Sequence, residues 1–127
     1  MLALRNPHEA YRRVAFDARV EGADPGQLVA LCFEQAGAAL SAALYAHAAG
    51  NNQTKSLALT RALAAITALQ LGVGGKDDVA GALHRFYGAV RARLLDCALR
   101  FDAGDVAAIR GDLAEIAEAF ARTKSDS

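Results

Sequence analysis

Apolar residues recur at alternating intervals of three and four along several long stretches of this 127-residue chain. In the last and most regular stretch they are Val106, Ile109, Leu113, Ile116 and Phe120. Residues three and four apart share one face of an α-helix, so this spacing predicts amphipathic helices that each bury one side. The chain also holds 31 alanines and only two prolines, which favours helix throughout. We therefore predict an all-α fold.

Capping residues and glycines divide the chain into a short helical segment, which opens at Asn6-Pro7, and four long ones. The predicted long segments cover about residues 25–49, 54–71, 76–103 and 105–122. Asp24 is expected to cap the second segment, with Pro25 in its first turn, and Asp105 to cap the fifth. Because the connections are short, neighbouring helices should run antiparallel. We predict an antiparallel up-down-up-down four-helix bundle with a short extra N-terminal helix: residues 1–122 form one domain and 123–127 a polar tail.

Charge is distributed unevenly along the chain. Residues 24–71 include only four charged side chains, whereas residues 72–127 include 17. A surface helix normally presents a charged face to water, which the second and third segments mostly lack. Either alanine lines a solvent-exposed surface there, or a partner such as another subunit or an amphipathic helix covers this face part of the time.

Overall charge and hydropathy argue against nucleic acid and membrane as partners. The 14 basic and 14 acidic residues give a net charge of zero. The N-terminus lacks a signal-peptide pattern, and the longest uncharged run, residues 35–54, is mostly alanine and too weakly apolar to enter lipid. Cys32 and Cys97 have no ligand-like spacing and are expected as free thiols. We expect a cytoplasmic protein.

No catalytic or metal-binding pattern is visible in the sequence. His8, His47 and His84 fall in separate segments without metal-ligand spacing, so no metal or cofactor is expected. One enzyme-class alternative remains, because His84 followed by Gly88 is similar to histidine phosphotransfer domains. Those domains carry a lysine three residues after the histidine, where this chain has Tyr87. We expect a protein that is not an enzyme.

Three stretches carry a family resemblance. The sequence NPHEAY at residues 6–11 is similar to an N-P-x-x-A-Y motif. DPGQLV followed by LCFEQA, at 24–36, is similar to S-P-x-x-L-[IV]-x-x-L-Y-[DE]-G-A, and residues 69–75 resemble an S-L-D-x-x-x-G-G turn. In this order they resemble the FliS family of flagellar secretion chaperones over about residues 6–120. The chain departs from the family pattern at Gln35 and Phe120, where Gly and Trp are usual.

The resemblance implies a cytosolic chaperone that binds the disordered C-terminal segment of newly made flagellin. Such a chaperone prevents premature polymerisation and aids delivery to the flagellar secretion apparatus. Family members are antiparallel helical bundles around which the client wraps as short helices in apolar grooves, which suits the charge-poor second and third segments. A flagellar co-chaperone or regulatory protein is a further implied partner. The alternative is a purely structural homodimer that buries the same face.

We predict partner-binding residues on the second and third segments and at the N-terminus. Those on the two long segments are Leu28, Leu31, Leu40, Leu44, Leu59 and Leu63. For each of these leucines, simple core packing is an equally good interpretation. Tyr11 and Val14 either form a movable cap over the groove or act as a hydrophobic staple at the end of the bundle.

Overall fold

The computed structural model describes Arg19 and residues 21–126, with side chains up to Thr123. Within these residues the protein forms four α-helices and no strand, which confirms the all-α prediction. The helices are α1 (Pro25–Ala48), α2 (Asn52–Leu71), α3 (Asp78–Leu99) and α4 (Ala103–Asp126). The short helix predicted to open at Asn6-Pro7 lies outside the described residues.

Capping side chains fix the starts of the first three helices. The Asp24 carboxylate accepts a hydrogen bond from the Gln27 N–H at 2.8 Å, and the Gln27 side-chain oxygen accepts from the Asp24 N–H at 2.9 Å. This reciprocal capping box, with Pro25 in the first turn, starts α1 where the sequence predicts. Asn51 and Asp77 cap α2 and α3 by accepting from the backbone N–H three residues ahead.

The connection between α3 and α4 differs from the prediction. α3 ends at Leu99, several residues before the predicted end, because Arg100 has an extended backbone with φ −143°. Asp102 caps α4 in place of Asp105, and its carboxylate accepts from the Asp105 N–H at 3.0 Å. Aspartate is a preferred N-cap residue, so Asp102 and Asp105 were both candidates to cap the helix. Because Asp102 is the cap, Asp105 lies in the first turn of α4. The prediction that Asp105 caps this helix was therefore wrong.

Buried alanines are concentrated on α1 and α2. These two helices make the most extensive contact between helices, and they contribute seven of the eight buried alanines among the described residues, namely Ala36, Ala39, Ala43, Ala46, Ala58, Ala62 and Ala65. Both pairs of helices also bury large side chains, such as Leu40 and Ile66 on α1 and α2, and Tyr87 and Leu94 on α3 and α4. α1 also packs on α4, and α2 on α3, whereas the contact between α3 and α4 is much smaller.

Hydrogen bonds join helices that pack on one another. The Arg110 guanidinium donates to the Ser41 hydroxyl at 3.2 Å, which links α4 to α1. Arg91 donates to the Thr67 hydroxyl at 3.0 Å, which links α3 to α2. Because both hydrogen bonds are exposed to water, each contributes little to the free energy of unfolding, and their main effect is on the alignment of neighbouring helices.

α1 is long and apolar enough, by length and composition alone, to cross a membrane. Core helices of soluble proteins pass the same test, and α1 supplies the buried side chains Phe33 and Leu40. Packing accounts for only part of the apolar character of α1, since 33% of its apolar stretch is buried. Cys32 on this helix and Cys97 on α3 are both free thiols, as predicted.

Candidate functional site

An apolar groove with a volume of about 560 Å³ lies between α1 and α2. α1 lines it with Pro25, Leu28, Val29, Cys32 and Gln35. The α2 side consists of Arg61, Ala64, Ala65, Ala68, Leu69 and the following Gly72. We name this surface the α1–α2 groove. Its lining on α1 extends from residue 25 to 35, about 15 Å along the helix axis, which matches the length of roughly three turns of a docked helix.

Small side chains keep the α1–α2 groove open. Ala64 and Ala68 lie exposed along its α2 wall, while Ala65 and Leu69 beneath them are buried in the core. An alanine wall lets a partner backbone approach closely, which a wall of leucines would prevent. Burial raises the pKa of the half-buried Cys32 thiol, so this side chain is neutral at neutral pH and adds to the apolar lining.

The groove is polar at one end. Gln35 is the lining residue of α1 nearest the α1–α2 connection, and Arg61 is the nearest on α2. Since only residues 49–51 connect the two helices, Gln35 and Arg61 lie toward the same end of the groove. Among the described residues that line it, Arg61 is the only one with a charged side chain.

Leu28 is the predicted binding residue that lines the α1–α2 groove. Leu40 and Leu59 are buried within the core cluster. Leu31 is also largely buried, and its edge borders a separate cavity of about 390 Å³ on the other side of α1. The six predicted leucines therefore do not form one continuous surface.

The remaining predicted residues have other positions. Leu44 and Leu63 are half-buried and pack against the core. Tyr11 and Val14 lie outside the described residues.

The groove lining includes residues that the sequence analysis did not name, and α1 offered a signal for some of them. Leu28, Cys32 and Gln35 follow the three-to-four spacing of one helical face, and Val29 lies three residues before Cys32. A second signal was the low charge of residues 24–71, which the structure places on the two helices that form the groove.

A smaller cavity of about 260 Å³ adjoins the α1–α2 groove and shares Val29, Leu69 and Gly72 with it. Val79 at the start of α3 and Phe120 on α4 line its far side. Both are exposed large apolar side chains. Apolar surface therefore extends from the groove across one end of the helices.

Beside the small cavity near Leu31, Arg19 forms a two-pronged ion pair with Glu34, with both N···O distances at 2.9 Å. The Arg19 guanidinium lowers the pKa of the Glu34 carboxyl, chiefly through these hydrogen bonds. Both side chains are more than half exposed, so the pair contributes little to stability. Because the Glu34 carboxylate is engaged in this ion pair, a catalytic role for it is disfavoured.

The His, Cys, Asp and Glu side chains of the described residues offer no metal site. No group of three or more His, Cys, Asp or Glu side chains among them could hold a metal ion. His84 is exposed on α3, but Tyr87, three residues later, is buried at 1% exposure. The position where phosphotransfer domains carry a lysine thus presents no side chain to a phosphoryl group at the surface.

Two comparisons with known proteins show the family to which the chain belongs. The family described as flagellar protein FliS matches residues 7–127 of the chain. The chain is also similar to the flagellar secretion chaperone FliS of Salmonella typhimurium (strain LT2), with 33% identity over 115 residues that cover 88% of this chain and 85% of that protein. The chain belongs to the FliS family of flagellar proteins.

Proposed function

We propose that the protein is a cytoplasmic flagellar secretion chaperone that binds the disordered C-terminal segment of flagellin in the α1–α2 groove. Family membership and the name of the Salmonella relative support the chaperone role. The observation that carries the choice of site is the open apolar groove on the charge-poor pair of helices. The role is binding rather than catalysis.

The groove suits an amphipathic helix that folds as it binds. Its length accommodates about three helical turns, and the exposed Ala64 and Ala68 allow close approach of the client backbone. Covering the apolar face of the client segment removes the surface through which it would polymerise. Ordering a disordered segment costs conformational entropy, which keeps the affinity moderate and permits release during export.

The predicted leucines have different parts in this proposal. Leu28 contacts the client directly, since it lines the groove. Leu31, Leu40 and Leu59 hold α1 and α2 in position from within, as their burial supports. Leu44 and Leu63 contact a client segment only if it extends beyond the groove.

At the N-terminus, we propose that Tyr11 and Val14 form a movable cap that competes with the client for apolar surface. The short helix predicted around them would place this cap at one end of an up-down-up-down bundle. Two contacts between α1 and α4 support an antiparallel bundle. Phe33 near the start of α1 packs against Phe120 late in α4, with tilted rings whose centroids are 5.7 Å apart, and the Ser41 hydroxyl accepts a hydrogen bond from Arg110 nearer the α4 start.

Isothermal titration calorimetry with a peptide of the flagellin C-terminal segment tests the function. The wild-type protein should bind with a negative heat-capacity change, because apolar surface is buried. Ala64→Trp should weaken binding at least about tenfold by filling the groove. Ala92→Trp is the matched control, since Ala92 is exposed on α3 and does not line the groove. Tyr11→Ala should tighten binding if Tyr11 belongs to a cap.

Two results would count against the proposal: no binding by the wild type at micromolar concentrations, or equal effects of the two tryptophan variants. Sedimentation of the protein alone addresses the alternative of a structural homodimer on the same face. A stable dimer that persists when excess peptide is added would favour that alternative. A monomer, or a dimer that dissociates on peptide binding, supports the chaperone. Capture of a co-chaperone or regulatory protein is a separate question from client binding.

A further inference from the structure

The α1–α2 groove is electrostatically asymmetric. Its lining runs from Pro25 and Gly72 at one end, through apolar side chains, to Gln35 and Arg61 at the other. No acidic residue is among the described residues that line it. An occupant therefore meets one positive charge, at one defined end of an otherwise apolar surface.

A half-buried guanidinium beside apolar side chains recognises carboxylates well. Arginine offers five N–H donors in a planar fork that matches the two oxygens of a carboxylate. Partial exclusion of water strengthens such charge-assisted hydrogen bonds relative to those on an open surface. Arg61 also takes part in an interaction within the protein. Because the guanidinium carries several N–H donors, a client carboxylate can bind to it in addition to that interaction or in competition with it.

Resting on the proposed function, we propose that Arg61 determines client specificity by binding an aspartate or glutamate side chain of the docked segment. The Gln35 amide, at the same end of the groove, can donate a further hydrogen bond to that carboxylate. The apolar residues of the groove supply most of the binding. Arg61 fixes the register, because a client helix slid along the groove by one turn would lose the charge pair while keeping apolar contact.

Register selection allows a groove of this kind to prefer one segment over other amphipathic helices. Alanine, valine and leucine walls accept many apolar faces with similar affinity. A client whose carboxylate does not reach Arg61 lacks these charge-assisted hydrogen bonds, which disfavours the wrong sequence or register.

A double-mutant cycle between the chaperone and the flagellin C-terminal peptide tests the proposal. Each aspartate and glutamate of the peptide is replaced in turn by its amide, and each peptide is titrated against wild type and Arg61→Gln. Arg61→Gln should lower the affinity for the wild-type peptide about tenfold. One amide substitution should weaken binding to the wild-type protein by a similar factor, and have little further effect on the Arg61→Gln protein.

Controls separate this charge pair from general electrostatics. Arg91 carries a positive charge outside the groove and donates a hydrogen bond to the Thr67 hydroxyl. Arg91→Gln removes this charge and should change the affinity for the peptide by less than about twofold. A peptide with an amidated C-terminus should bind as the unmodified peptide does, because the proposed ligand is a side-chain carboxylate. Arg61→Lys keeps the charge but loses the planar fork, so it should bind with intermediate affinity. If Arg61→Gln does not fold, Arg61→Lys carries the same cycle.

The outcomes distinguish this inference from the function on which it rests. If the wild type binds and Arg61→Gln binds equally well, Arg61 is not a specificity determinant and the proposed function stands. If Arg61→Gln weakens binding but every amide substitution has an additive effect, Arg61 acts on the fold of the groove and not on a client carboxylate. If the wild type does not bind the peptide at all, the proposed function falls and this inference falls with it.

Discussion

Tyr87 is 1% exposed and packs against Phe86 and Phe33, with ring centroids 5.6 and 6.4 Å away. Burial, reinforced by the charge of the Cys32 thiolate, raises the pKa of its phenol from 10.0 to about 12. Below pH 10 the phenol is neutral in both folded and unfolded protein. Between pH 10 and 12 the unfolded chain loses this proton while the folded protein keeps it. The free energy of unfolding should therefore fall with rising pH in that window, by up to about 1.4 kcal/mol per pH unit.

Tyr87→Phe isolates this effect, because it removes the ionisable group while keeping the ring. Urea unfolding of both proteins at about pH 9 and about pH 11 gives the comparison. The wild type should lose more stability than Tyr87→Phe over that interval. Equal losses in the two proteins would show that Tyr87 ionises normally.

Individual residues of the candidate site were only partly predictable. Leu28 was identified because it lies on the apolar face of the second predicted segment, and the structure places it in the groove. Leu40 lies on that same helix but is fully buried. Helical spacing tells which side of a helix is apolar, but not which part of that side another helix covers. Ala64 gave no signal, because an alanine contributes to the groove through its small size and not through any distinctive chemistry.

At the level of helices, the number, type and approximate position of the four described elements followed from the sequence. Their ends were less certain, because several residues near each end satisfy the same capping preference. α1 starts as predicted at Pro25, where Asp24, Pro25 and Gln27 all favour one start. α4 starts earlier than predicted, and it continues to Asp126 rather than ending near Arg122.

Asp102 is the cap that the sequence did not single out, and its removal should be costly for α4. Asp102→Ala leaves the Asp105 N–H without its acceptor at 3.0 Å and should lower the free energy of unfolding by about 1 kcal/mol. Asp102→Asn is the matched control, because asparagine caps equally well without the charge. Chemical denaturation of the three proteins measures the difference. A loss of stability in Asp102→Asn as large as in Asp102→Ala would mean that charge, and not capping, is what matters.

On the scale of the whole molecule, the low charge of residues 24–71 was the most informative sequence feature. It indicated that α1 and α2 carry a face for a partner, and the open groove lies on those two helices. The sequence did not reveal that nearly all buried alanines of the described residues lie on α1 and α2, the pair of helices with the most extensive contact. That division depends on which helices become neighbours, and periodicity within one helix carries no information about its neighbours.

Alanines make up more than half of the buried residues of α1 and α2, which lets these two helices come into close contact beneath the groove. Ala43 of α1 is fully buried in the core, so Ala43→Leu should overpack it, force helices apart and lower the free energy of unfolding by about 1–3 kcal/mol. Ala38→Leu adds the same group at an exposed position of α1 and should change stability by less than about 0.5 kcal/mol. Urea unfolding compares the two variants with the wild type. Because a spread α1–α2 pair deforms the groove, Ala43→Leu should also weaken flagellin peptide binding, while Ala38→Leu should not. If Ala43→Leu is as stable as the wild type and binds the peptide equally well, the core has room for a larger side chain at this position. Close alanine packing would then not define the shape of the groove.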